Sequence, residues 1–118
     1  EPKSKIDLLD DEKMVQEKVR GAYCEEGKVE DNGVLAFLKL VVMPMKEDAK
    51  KAFVVERPAK FGGNISFGTY QEIEDVFADK TLHPLDLKNA LAKEINALLE
   101  PFRKNKARLD KISKEAYD

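Results

Sequence analysis

A mainly α-helical domain carrying one small two-stranded β-hairpin is the fold this sequence predicts. Three observations predict it. Apolar residues recur at helical spacing in several separate stretches of the chain. Two short β-branched and aromatic runs, "AFVVE" (52–56) and "NISF" (64–67), flank the turn-forming "RPAKFGG". Charged residues make up 37% of the 118 and hydrophobic ones 42%, a mix that suits a soluble, helix-rich domain with one core.

The first helix is expected in "DDEKMVQEKVRGAYC" (10–24). Acids crowd its first turn, where the helix dipole favours negative charge, and Val15, Val19 and Ala22 share one face. "GKVEDNG" (27–33) is loop chemistry, with Asp31 or Asn32 as the cap of the next helix. That helix, about 33–43, is apolar nearly all round; it is expected to be the most buried one and to end at Pro44. "KEDAKK" is a charged connector or a short helical turn. The hairpin at 52–67 has a long loop and is marginal alone, so it must pack on the helices. Thr69 and Glu72 form a T-x-x-E capping box, and Ile73, Val76 and Phe77 give the following helix its stripe. Pro84 suits the first position of a long helix marked by Leu87, Leu91, Ile95, Leu98 and Phe102. Pro101 is a kink candidate, and the polar tail "KNKARLDKISKEAYD" is expected to fray.

Composition narrows the function. The net charge of −2 argues weakly against a nucleic-acid binder, whose usual footprint is strongly basic, although a local basic face stays possible. A single cysteine, Cys24, allows no internal disulfide and fits a reducing compartment. The N-terminal stretch has no apolar core for a secretion signal, and the longest apolar run is about half a membrane span and holds Lys39. A cytosolic protein without a membrane partner is expected. One histidine and one cysteine, far apart, make no metal site, and no phosphate-binding loop of the G-x-x-x-x-G-K kind is present. A nucleophilic pair of Cys24 with His83 has no supporting motif; the plainer reading of Cys24 is a half-buried packing residue.

"TLHPLDLKNA" (81–90) holds the chain's only histidine. His83 and Asp86 stand at i and i+3, on one face of a helix start that Asn89 and Lys93 continue. Two readings compete. In one, His83 caps the helix and Asp86 answers its dipole, and spacing alone favours this. In the other, the imidazole stacks on a nucleobase of single-stranded RNA, and the carboxylate accepts from the ring N–H and amino group of guanine. No other standard base offers those two donors side by side. Phe61, in "KFGGN", poses the same choice between a plug tucked under its loop and a stacking face held outward.

"SKIDLLD", "AYCEEGKVEDNGVLAFLK", "RPAKFGGNISFGTYQEIEDVF" and "LHPLDLKNALAKEINALLEPFRK" together resemble the tyrosyl-tRNA synthetases of the archaeal and eukaryotic type. The likeness runs in order from about Ser4 to Lys104, and "HPLDLKNA" and "KFGG" are its most specific parts. It covers only part of such an enzyme. The lysine- and serine-rich loop that closes over ATP is missing, and no "HIGH"-like motif is present. The resemblance therefore implies a C-terminal, helical anticodon-binding domain spanning 11–118, preceded by a linker at 1–10. This piece should be unable to activate tyrosine and should hold no cofactor, whereas the whole enzyme uses ATP and magnesium.

The resemblance also implies partners and site residues. The partners are the tyrosine tRNA and the catalytic domain of a parent enzyme that is a dimer or pseudo-dimer, with dimer contacts mostly outside this piece. In the family the first anticodon base, a guanine, is sandwiched between an aromatic ring and a histidine while a carboxylate reads its edge. The matching positions are Phe61, His83 and Asp86, with tryptophan in place of Phe61 in some members. Cys24, Pro58 and Lys88 match positions that line the rest of the anticodon. The Phe61 loop is then expected to lie against the helix start that carries His83. Two alternatives remain: the equivalent domain of a tryptophanyl enzyme, and a protein-interaction or scaffold domain derived from a synthetase.

Overall fold

The computed structural model describes residues 10–22 and 24–117, with the backbone alone at 107 and 109–117. Helix α1 (Glu12–Arg20) opens on Asp11, whose side chain accepts from the Met14 N–H, and closes at Gly21. It is shorter than the expected 10–24. Val15 and Val19 are its buried residues, and it packs chiefly on the long last helix. Just before it, buried Asp10 pairs with Lys18 at 2.7 Å, and its carbonyl accepts from Arg103 Nε at 2.9 Å. Most of the expected linker, including nearly all of "SKIDLLD", lies outside the described residues.

Asn32 caps the next segment, its Oδ1 accepting from Leu35 N–H at 3.1 Å. There the structure corrects two expectations. Helix α2 (Gly33–Phe37) runs into a π-helical turn (Leu38–Val42) and then into α3 (Met43–Asp48), so Pro44 does not end the helix. The Met43 N–H reaches the Leu38 carbonyl, five residues back. A widened turn of this kind shifts the hydrogen-bond register and lets a proline enter without the clash it makes in a regular α-helix. Nor is this segment buried all round. Leu40 is 73% exposed and Met45 48%, because only the face holding Val34, Leu35, Leu38, Val42 and Met43 turns inward.

Strands β1 (Phe53–Val55) and β2 (Ile65–Phe67) pair antiparallel, with Phe53 opposite Phe67 and Val55 opposite Ile65. Phe53, Val55 and Phe67 point into the core and β1 packs on the last helix, which supplies the support a lone hairpin lacks. A 3₁₀ turn (Ala59–Phe61) forms within the connecting loop. Helix α4 (Tyr70–Ala78) begins with the expected box: Glu72 N–H donates to Thr69 Oγ1, and Glu72 Oε1 accepts from Thr69 N–H at 2.9 Å. Thr69→Ala should cost about 0.5–2 kcal/mol, read as a lower melting temperature.

Helix α5 (Pro84–Tyr117) is one helix of 34 residues. It continues through Pro101 and through the tail expected to fray, so the backbone stays helical to Tyr117. Its Leu87, Ala90, Leu91, Ala92, Ile95 and Leu99 complete a single core shared by α1, the α2–α3 segment, the hairpin and α4. None of the described helices is long and apolar enough to cross a membrane.

Candidate functional site

The loop between β1 and β2 is held from within. Pro58 carbonyl accepts from Phe61 N–H at 2.9 Å and from Gly63 N–H at 3.1 Å, and Ala59 carbonyl accepts from Gly62 N–H at 3.0 Å. Gly62 and Gly63 have φ of 105° and 74°, values that suit glycine. The turn leaves Phe61 59% exposed, so it is no plug under its loop. The Lys60 ammonium stands 5.1 Å from the centre of its ring.

Opposite this loop, α5 begins. His83 Nδ1 accepts the Leu85 N–H at 3.1 Å, and its carbonyl accepts the Leu87 N–H. His83 is thus a cap. The neutral ring carries its proton on Nε2, since Nδ1 is the acceptor. Asp86 lies in the first turn of α5, half-buried, where the dipole favours its charge. The helix-start reading of this pair therefore holds in the fold, and it does not compete with a second use: capping fixes the ring's orientation and leaves the ring itself exposed.

The two elements enclose an open cleft of ≈ 460 Å³, lined by Glu26, Arg57, Phe61, Lys80, Thr81, His83, Leu85 and Asp86. Phe61, His83 and Asp86 thus come together although the first two lie on different elements. Pro58 stays outside the lining and serves through its carbonyl, which anchors the Phe61 turn. Cys24 and Lys88 are not in the cleft either. Lys88 Nζ donates to the Arg20 carbonyl at 2.9 Å, at the negative end of α1. Cys24 is half-buried and its Sγ accepts from Asn32 Nδ2 at 3.4 Å. Burial pushes its thiol pKa up, against smaller opposing effects of Asn32 and of the Lys88 charge. A raised thiol is the reverse of what a nucleophile needs.

Glu26, Arg57, Lys80, Thr81 and Leu85 are cleft residues that the sequence reading passed over. For Arg57 a signal was present: an arginine beside a Pro- and Gly-rich loop has bare carbonyls within reach. The cleft pairs two cations, Arg57 and Lys80, with two anions, Glu26 and Asp86, a near-balance like that of the whole chain. Among the described residues no group of three His, Cys, Asp or Glu side chains could hold a metal ion.

Residues 1–100 match the family model described as tRNA synthetases class I (W and Y). The tyrosine–tRNA ligase of Natronomonas pharaonis is 47% identical over 100 residues, covering 85% of this chain and 29% of that protein. The cytoplasmic tyrosine–tRNA ligase of Gallus gallus is 43% identical over 119 residues, covering 99% of this chain and 22% of its own length. Among solved structures, the tyrosyl-tRNA synthetase of Pyrococcus horikoshii, complexed with L-tyrosine, superposes with a TM-score of 0.86 at 36% identity, over 93% of this chain and 29% of that one. The chain thus spans less than a third of the length of each of these relatives.

Proposed function

The chain belongs to the class I tRNA synthetase family of the tryptophan and tyrosine type, and we propose that it is the anticodon-reading domain of a tyrosine–tRNA ligase. One observation carries the proposal. An exposed aromatic ring, an imidazole fixed by its own helix and a half-buried carboxylate line the same cleft. Phe61 and His83 are two walls between which a base can stack, and base–aromatic stacking is a major source of affinity for single-stranded RNA. Asp86 accepts from two adjacent donors on a base edge, which selects guanine. The tyrosine relatives, rather than tryptophan ones, favour the tyrosine tRNA as partner. The cytoplasm is the matching compartment, as in the relatives named for it. Cys24, Pro58 and Lys88 belong to the proposal as flanking anticodon contacts; Lys88 would first have to leave the Arg20 carbonyl or share its ammonium with it.

The test is binding of this chain to anticodon stem-loop RNAs that differ only in the first anticodon base. Guanine should bind best. Equal affinity for all four bases would overturn the reading. A second expectation concerns chemistry: the purified chain should catalyse no tyrosine-dependent pyrophosphate exchange, and exchange above background would refute a purely RNA-reading role.

A further inference from the structure

The geometry points to Arg57 as the positioning residue of the cleft, the one that sets the gap between Phe61 and His83; this rests on the base-reading proposal above. Phe61 sits in a hairpin loop and His83 at the start of α5, and no strand ladder joins the two. Arg57 bridges them. Its Nε donates to the Gly63 carbonyl at 2.8 Å, on the loop just beyond Phe61. Its Nη1 donates to the Thr81 carbonyl at 3.2 Å, two residues before His83. Its own N–H donates to Asn64 Oδ1 at 3.2 Å, fixing its backbone to the far side of the loop. The guanidinium is planar and its donors diverge in fixed directions, so these bonds set the relative placement of the two carbonyls. Gly62 makes room for the crossing: a Cβ there would stand 2.9 Å from Arg57 Nη2.

A base sandwich needs both walls at contact distance at once. The loop's own bonds shape the turn that presents Phe61, but they do not place that turn against α5. The strands on either side have three residues each. With Arg57 gone, the Gly63 carbonyl loses its partner, so the turn's own bonds open more often and the Phe61 wall swings relative to His83. Lysine in its place keeps the charge but, as a single point donor, cannot span the two carbonyls.

The experiment has two arms, both on the 118-residue chain. The first is amide hydrogen exchange without RNA. In Arg57→Ala, and equally in Arg57→Lys, exchange at Phe61, Gly62 and Gly63 should rise at least about tenfold while core amides such as Leu91 keep their protection. Unchanged loop exchange would overturn the inference whatever the cleft binds. The second arm is binding to the guanine stem-loop. Arg57→Ala should lose roughly tenfold or more, on the scale of one base–aromatic stack. Adding Arg57→Ala to Phe61→Ala should cost nothing further, because the Phe61 ring that Arg57 places is already gone and the His83 stack stands on its own helix cap. Losses that multiply, or an Arg57→Lys that binds like the parent, would make Arg57 a phosphate contact and overturn its positioning role. The base-reading proposal fails separately, on a Phe61→Ala that binds as the parent does, and the exchange arm still decides on Arg57.

Discussion

Asp86→Arg should invert the base preference of the cleft. The carboxylate accepts from the N1–H and the amino group of guanine, so it favours the one base that presents both. An arginine there offers donors instead. Those suit the ring nitrogen and carbonyl of cytosine and are repelled by the two guanine donors. By analogy with bidentate contacts in DNA grooves, guanine discrimination should fall by about 1–3 kcal/mol and a cytosine preference of similar order should replace it. Overall affinity should not collapse, because the change also removes a negative charge near RNA phosphates. Asp86→Ala should flatten the guanine-to-cytosine ratio without reversing it. Asp86→Asn should also lose discrimination, since an amide presents one acceptor and one donor group. If Asp86 serves only the helix dipole, these changes cost about 0.3–1 kcal/mol of stability and leave base preference alone. Stem-loop binding across first-position variants, with melting temperatures alongside, separates the two. An unchanged guanine-to-cytosine ratio in Asp86→Ala would refute the assigned role.

Phe61→Ala should weaken binding to the guanine stem-loop by about 1–3 kcal/mol while leaving the melting temperature nearly where it was. Exposure makes this asymmetry. Phe61 is 59% exposed, whereas Phe53 and Phe77 are fully buried. Truncating a buried aromatic costs about 3–5 kcal/mol of stability, most of it absent where water already reaches the ring. Phe61→Trp should preserve binding or improve it, since the larger ring gives more stacking area. A marked fall in melting temperature for Phe61→Ala, with RNA affinity held, would return the residue to the role of a plug.

Much of this architecture was legible because its signals are local. The Thr69–Glu72 box, the Asn32 cap and Pro84 at the head of α5 each depend on a few consecutive residues, and each stands where expected. The hairpin was legible from two β-branched runs around a turn-forming loop. Pro44 misled, because a proline rule assumes a regular α-helix, and the π turn before it changes which N–H groups are needed. The tail is polar, yet its Lys, Arg, Glu and Leu are good helix formers, and α5 extends through it to Tyr117. Of the cleft, His83 and Asp86 were linked by spacing alone. Their meeting with Phe61 came only from family resemblance, since local pattern carries no information on which loop packs against which helix end. The bridge from Arg57 to Thr81 stayed hidden for the same reason: its acceptor is a distant backbone carbonyl, which no side-chain motif marks. Cys24 and Lys88, which the resemblance assigns to the rest of the anticodon, lie outside the cleft, beside Asn32 and the end of α1.

The bond from Leu85 N–H to His83 Nδ1 makes position 83 hard to replace. Serine, threonine, asparagine and aspartate cap helices well, but none has a ring to offer a base. Phenylalanine, tyrosine and tryptophan offer a ring, but none has an acceptor placed to reach Leu85, so the helix would begin with a bare N–H. Of the twenty side chains, histidine alone answers both demands, one with a nitrogen and the other with a face. A random library at this codon, sorted first for folding and then for RNA capture, should pass several residues through each sieve and one through both.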